Sequence, residues 1–190
     1  MKLKMILSLP PSVNALYQNQ SYFDNHSRRY VPTGKRILTK EGRQLKKMIA
    51  AQAVKQAKEQ GWSKEDIGDN YIYMDTVVYF NRKGRDSDNI YKALRDSLEG
   101  IVYTNDTQVL VRTQKVLIDR EEPRVEVTFR PVEFKGIFDT LDDANEFVYN
   151  CMKCTRYRKG RCSIMNDSLE GVVRKEVISE KCSEFKEKKS

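Results

Sequence analysis

Hydrophobic and polar positions alternate in some stretches of this chain and recur every three to four residues in others, and the change of period marks its elements. Lys2 to Leu9 alternates loosely and stops at Pro10-Pro11, which have no N–H to give to a ladder, so it reads as a first strand. The polar, aromatic and basic stretch "NQSYFDNHSRRYVPTGKR" has little periodicity and is expected to be an exposed loop of the kind that touches a ligand. Thr39 can then cap a helix from about Lys40 to Glu59, although Gly42 stands at the capping-box position, where Glu or Gln is usual. Leu45, Met48, Ile49, Ala53 and Ala57 give that helix an apolar stripe, read as core packing, and Gly61 ends it.

Tyr71 to Phe80 is rich in β-branched and aromatic residues and reads as a buried strand, followed by the turn "NRKG". Asp88 begins a helix over Ile90 to Leu98, closed by Gly100. Beyond the turn "YTNDT", Gln108 to Ile118 and Arg124 to Arg130 read as two more strands, separated by "DREEP". The pattern predicts an α+β fold, a mixed β-sheet with helices packed on it, over residues 1–133. Residues 134–190 differ in character: a short helix from about Leu141 to Tyr149, a segment holding every cysteine, and a charged tail. The expected organisation is therefore one domain and a small cysteine-rich appendage, with no internal repeat.

Composition narrows the function. With 39% hydrophobic and 33% charged residues the chain reads as soluble and globular, and no apolar run approaches the roughly 20 residues of a membrane-spanning helix. Met5 to Leu9 is too short for the apolar core of a signal peptide, so a cytoplasmic protein without a membrane partner is expected. A net charge of +8 favours an anionic partner, because clustered Lys and Arg release counterions when they bind phosphate. Most of the excess lies in residues 1–133, with 23 Lys/Arg against 17 Asp/Glu; residues 134–190 carry 12 against 10.

The acidic residues of "GRDSDNIYKALRDSLEGIVYTNDTQV" then stand out against that basic background. In an extended segment Asp86 and Asp88 would point the same way, and two carboxylates about 4 Å apart repel by roughly 4 kcal/mol at an effective dielectric near 20. Arg85, Lys92 or a divalent ion could answer that charge. If the turn after the helix returns Asp106 to the pair, the three make an open oxygen site of the kind Mg²⁺ takes. Lys92, one helical turn after Asp88, could meet a phosphate, with Asp96 a turn further to orient it and Asn89 to support the site. A plainer reading stands beside this one: Asp88 as a helix cap, Asp86 and Asp106 as turn residues, and Lys92 with Asp96 as a surface ion pair.

Taken together, "RDSDN", Lys92, Asp96 and "DTQV", preceded by "LPPSVNALY" at Leu9 to Tyr17, resemble the RusA family of Holliday junction resolvases over roughly residues 1–130. The resemblance implies a Mg²⁺-dependent, homodimeric endodeoxyribonuclease that binds four-way junction DNA and nicks two opposed strands in recombination and repair, in a phage or prophage setting. It makes Asp86, Asp88 and Asp106 the metal-binding carboxylates, Lys92 the catalytic lysine and Arg85 a phosphate contact, and it adds Asn14 of the first motif to the DNA-binding set. Asn105 departs from the pattern, since the family often has a second acid there. No Ser, Cys or His nucleophile is required, and His26 reads as an ordinary exposed histidine. Arg28, Arg29, Lys35 and Arg36 are candidates to hold phosphates, and Tyr22 or Phe23 to stack on unpaired bases. A non-catalytic nucleic-acid-binding module, or a nuclease for other branched DNA or RNA, is the alternative.

Cys151, Cys154, Cys162 and Cys182 form a Cys-x2-Cys-x7-Cys-x19-Cys pattern. Four thiolates suit tetrahedral Zn²⁺, and an iron–sulfur cluster or unligated thiols are the other readings. A segment this short buries little core, whereas structural zinc contributes roughly 10–16 kcal/mol in finger peptides.

Overall fold

The computed structural model describes residues 1–68 and 70–188, the side chains of Val13 and Asn14 excepted. The chain divides into two compact units, Met1–Pro131 and Val132–Ser190. The first holds strand β1 (Leu3–Ser8), a single helical turn α1 (Val13–Leu16), strands β2 (Tyr17–Asp24) and β3 (Arg29–Leu38), and helix α2 (Lys40–Glu59). It continues with β4 (Ile72–Phe80), α3 (Asp88–Leu98), β5 (Val109–Ile118) and β6 (Arg124–Pro131). Four of these strands form a mixed sheet in the order β1-β6-β4-β5, antiparallel except where β4 meets β5 in parallel. A parallel neighbour cannot be reached by a tight turn, and α3 is the crossover between the two.

One face of the sheet is buried. Leu3, Met5 and Leu7 of β1, Ile72, Met74, Val78 and Phe80 of β4, and Val125, Val127 and Phe129 of β6 alternate inward as strand geometry requires. They pack with Ile49, Ala53 and Ala57 of α2 and Ile90, Tyr91, Leu94 and Leu98 of α3. Met48, expected in the α2 stripe, is exposed: the stripe steps by four from Leu45, and Met48 falls beside it. On the opposite face Asp75 accepts two bonds from Arg112, at 2.7 and 2.9 Å, and one from Arg130 at 2.9 Å, tying β4 to both neighbours. Burial alone would raise the Asp75 pKa; the Arg112 and Arg130 donors outweigh it and hold the carboxyl below its ordinary value.

One expectation is corrected here, and the expected Thr39 cap is found. The segment read as a loop is the antiparallel hairpin β2–β3, running from Tyr17↔Leu38 out to Asp24↔Arg29. Its strands are exposed on both faces, so no inward alternation betrays them. Gly42, the weak point of the expected capping box, donates its N–H to Thr39 Oγ1 at 3.0 Å, and a Cβ there would lie 2.9 Å from the Leu16 carbonyl oxygen. The close approach of α1 excludes a larger residue.

The outer edge of β1 is closed by side chains. Gln52, Gln56 and Gln60 each accept from a β1 N–H, those of Ser8, Ile6 and Lys4, at 2.8 to 3.0 Å. Gln56 and Gln60 also donate to the carbonyls of Ile6 and Lys4. The fit is geometric: four helical residues rise about 6 Å and two strand residues about 6.6 Å, so glutamines at every fourth position meet alternate strand residues. This leaves β5 as the edge on which, among the described residues, no strand pairs and where Val116, Leu117 and Ile118 are exposed.

The second unit comprises α4 (Leu141–Met152), α5 (Ser163–Leu169) and a short hairpin of β7 (Val177–Ile178) and β8 (Lys181–Cys182). Its core is Phe138, Ala144, Phe147, Cys151 and Met165. Among the described residues no helix is long and apolar enough to cross a membrane.

Replacing Gln56 by Ala should cost about 1–2 kcal/mol, because the N–H and C=O of Ile6 lose a paired partner together. Urea unfolding monitored by circular dichroism measures this, and an unchanged midpoint would show that the edge is not held by these bonds.

Candidate active site

Helix α3 begins at an acidic turn. Asp86 Oδ1 accepts from the Asp88 N–H at 2.9 Å, and its Oδ2 accepts from Asn89 Nδ2 at 3.0 Å. Ser87 at the N-cap position makes no side-chain cap bond, so Asp86, one residue before it, takes up the first N–H of the helix and serves as its cap, while Asp88 is the first helical residue and adds negative charge where the helix dipole favours it. Both side chains are exposed. Lys92, a turn later and also exposed, lies with its Nζ 3.7 Å from Asp96 Oδ1. Lys46 of α2 reaches the other oxygen of Asp96 at 3.8 Å, a contact that no spacing along α3 could have indicated.

The return from α3 to β5 is tightly built. Gly100, with φ of 78°, turns the chain, and its N–H donates to the Tyr103 carbonyl at 2.8 Å. Tyr103 is fully buried, and its hydroxyl donates to the Arg95 carbonyl at 2.9 Å. Burial pushes that hydroxyl well above the ordinary tyrosine pKa. Next, Asn105 Oδ1 accepts from the Thr107 N–H and hydroxyl at 2.9 and 2.8 Å, while Gln108 Oε1 accepts from the Asn105 N–H at 2.9 Å. Gln108, buried, also donates to the carbonyls of Gly68 and Asn70. Asn105 thus completes a capping box over Asp106–Gln108, work that its amide oxygen does as a carboxylate would.

Asp106 is half-buried beside Arg95, whose Nη1 lies 3.5 Å from the Asp106 carbonyl. Arg95 is seven residues after Asp88, about 10 Å along the helix axis. Asp86 and Asp88 thus stand at the start of α3 and Asp106 beside Arg95 near its end, and among the described residues no three His, Cys, Asp or Glu side chains are already grouped to hold a metal ion. Asp86 is instead engaged with its own helix terminus. The donor chemistry still fits a hard divalent cation: the set is all carboxylate oxygen, and among the described residues no Lys or Arg pairs with Asp86, Asp88 or Asp106. Arg95 carries no signal of its own in the sequence, where it looks like any cation on a helix. Among the described residues its Nε is buried and has no hydrogen-bond partner, which marks it as a donor in want of an acceptor.

The expected nucleic-acid contacts fall on the β2–β3 hairpin. Asp24 accepts from the His26 and Ser27 N–H groups at 3.1 and 3.2 Å, shaping its tip, and the Ser27 hydroxyl and these N–H groups lower the Asp24 pKa. Arg28 sits at the tip with φ of 54°, and Arg29 begins β3. Phe23 and Tyr30 meet edge to face at 5.3 Å, and Tyr22, Phe23 and Tyr30 are 55%, 49% and 73% exposed, so their faces are open to a partner. Lys35 is exposed nearer the base, where the Arg36 guanidinium lies 5.8 Å from the Tyr17 ring. Arg85 lies over Phe80 at 5.6 Å, at the foot of α3. Asn14 lies outside the residues whose side chains are described.

The four cysteines are free and belong to the second unit, Cys151 and Cys154 buried and Cys162 and Cys182 half-buried. Burial, then the neighbouring sulfurs of Cys162, Cys182 and Cys154, push the Cys151 thiol up to about 12.

Residues 14–130 match the family described as Endodeoxyribonuclease RusA, well over half of the chain. No curated protein matches it.

Because Asp86 caps α3, Asp86→Ala should destabilise the first unit by about 1 kcal/mol. Asp88→Asn, which leaves that cap in place and removes only an exposed charge favoured by the helix dipole, should cost less. Thermal unfolding of the two variants separates the roles, and equal stability losses would contradict the assignment.

Proposed function

The chain belongs to the RusA family, endodeoxyribonucleases that resolve Holliday junctions, and on that premise we propose that it cleaves four-way DNA junctions with Mg²⁺, as a homodimer, in recombination and repair. The observation that carries this reading is the exposed Asp86–Asp88 pair at the start of α3, with Lys92 one turn on and, among the described residues, no protein cation paired to the carboxylates. Asp86, Asp88 and Asp106 would hold the ion. When bound, Mg²⁺ supplies Lewis-acid stabilisation of the phosphate and makes water a better nucleophile. Lys92 would bring its ammonium to a phosphate oxygen, and Asp96, held between Lys92 and Lys46, limits where that ammonium can go. Hydrolysis adds water across one P–O bond: the hydroxyl joins phosphorus and the proton leaves with the released oxygen. Arg85 stands near enough to this turn in sequence to contact an adjacent phosphate.

A single site makes one nick, and resolution needs two on opposed strands, which a homodimer supplies. β5 offers the unpaired edge for a second copy, since the glutamines of α2 occupy that of β1. The β2–β3 hairpin would carry the DNA: Arg28, Arg29, Lys35 and Arg36 meet phosphates, and Tyr22, Phe23 and Tyr30 stack on bases unpaired at the branch, worth about 1–3 kcal/mol for each stacked base.

Asp88→Asn should bind a labelled four-way junction as wild type does and cleave it on the order of 100-fold more slowly or worse. Wild type mixed with excess Asp88→Asn should accumulate singly nicked junctions, the mark of one site per subunit. The control panel is a flap and a linear duplex, each with Mg²⁺ and with chelator. Cleavage by Asp88→Asn at the wild-type rate rejects the site, and preference for the flap moves the substrate to other branched DNA. Separately, Arg28→Ala with Arg29→Ala should lower the slope of log affinity against log salt by about two for each subunit on the DNA, with unfolding unchanged. A slope equal to wild type would remove the hairpin from the interface.

A further inference from the structure

Residues 132–190 hold little apolar core, yet their backbone adopts conformations that need holding. Among the described non-glycine residues only four have positive φ, and three of them belong to this unit: Lys159 at 51°, Ser179 at 47° and Glu180 at 63°. Each stands shortly before a cysteine. Lys159 and Gly160 make the turn between the bridged residues Arg158 and Arg161, and Cys162 follows at the N-terminus of α5. Ser179 and Glu180 make the turn of the β7–β8 hairpin, which ends on Cys182. L-residues seldom take this conformation, and it persists where the surroundings over-determine it.

The other two cysteines sit at the end of α4, Cys151 in its last turn and Cys154 just past its C-terminus. The tail folds back over them: Thr155 N–H donates to the Lys186 carbonyl at 2.8 Å and Lys188 N–H to the Lys153 carbonyl at 2.9 Å. Lys186 N–H donates to Cys154 Sγ at 3.4 Å, and Arg156 N–H approaches the same sulfur. Backbone N–H donors of this kind fix where the sulfur of a ligating cysteine stands. Cys151 and Cys182 face one cleft of about 310 Å³, and Cys162 packs against the same small core.

We propose that Cys151, Cys154, Cys162 and Cys182 are the four ligands of one structural zinc ion that holds this unit together. The helix end supplies a close pair of sulfurs and the two tight turns supply the other pair. Among the described residues no three of these side chains are already grouped to hold an ion, although Cys154, Cys162 and Cys182 are all near enough to Cys151 to act on its thiol. A tetrahedral site needs all four sulfurs about 2.3 Å from the ion, and Cys162 and Cys182, on the two turns, are half-buried while Cys151 and Cys154 are buried. Glycine matters at one further point: Gly136 has φ of 60°, and a Cβ there would lie 2.0 Å from the Ser168 carbonyl oxygen, so the segment leading into α4 is fixed against α5. Zinc binding is separate from cleavage, because none of its ligands belongs to the first unit.

Elemental analysis of the full-length chain, purified without added metal or chelator, tests this. The expected result is about one zinc per chain, released as the four thiols are titrated with a mercurial reagent. Replacement by Co²⁺ should give the absorption of a tetrahedral thiolate site, and Cys162→Ser and Cys182→Ser should each lower zinc content while Asp88→Asn leaves it unchanged. Because the wild-type measurement needs no variant, misfolding cannot mask the answer. Iron with acid-labile sulfide, or zinc far below one per chain with four thiols freely reactive, overturns the proposal.

Discussion

The parallel pairing of β4 with β5 is the constraint on which the rest of the first unit depends. A strand that must re-enter its sheet in the same direction needs a crossover, and the crossover here is α3. That helix must bury one side against the sheet, which it does through Ile90, Tyr91, Leu94 and Leu98. On its other side Asp88, Lys92 and Asp96 follow one another at every fourth position, the first two exposed and Asp96 half-buried. The same constraint brings the chain back past α3 before β5 begins, carrying Asp106 to Arg95. Where the acidic start, the lysine one turn on and the acidic return stand thus follows from one strand pairing. Buried bonds keep the return in place: the Tyr103 hydroxyl on the Arg95 carbonyl and Gln108 on Gly68 and Asn70.

Stability and function are separated by face and by edge. Hydrophobic burial is gathered on the helix side of the sheet, and the opposite face is held by Asp75 bridging Arg112 and Arg130. The β1 edge is closed by three glutamines, a solution that uses neutral side chains beside a strand rather than a charge pointed outward. The β2–β3 hairpin stands apart from this scheme. A two-stranded ribbon is marginal by itself in water, and this one commits its side chains to exposed cations and aromatic rings rather than to burial.

What could be read from the sequence follows the same division. β1, β4, β6, α2 and α3 were legible because one side of each is buried, and burial writes a period into the residues. The hairpin was not, since neither of its faces is buried and nothing alternates. Gly42 has the look of a defect in a helix cap until Leu16 is found pressing on it, and Asn105 that of a missing acid until its amide is found capping the next turn. Long-range partners leave no local trace: Lys46 on Asp96, or the glutamines on β1, pair residues some 50 positions apart. The candidate site was legible as a set of residue types, while its geometry, with Asp86 bound into its own helix terminus, was not.

That last feature sets a competition at the site. The two oxygens of Asp86 serve the Asp88 N–H and Asn89, an interaction of the kind worth about 1 kcal/mol. Bringing Asp86, Asp88 and Asp106 within about 4 Å of one another would raise repulsion by roughly 4 kcal/mol for each pair at an effective dielectric near 20. The second number exceeds the first, so the capped arrangement is the resting choice of the bare carboxylates. Gathering them takes a charge that attracts all three at once. A carboxylate has lone pairs to spare, and Asp86 can keep the Asp88 N–H while turning its other oxygen to a cation, losing only the Asn89 bond. In the proposed site the cap and the ligand would then be the same side chain.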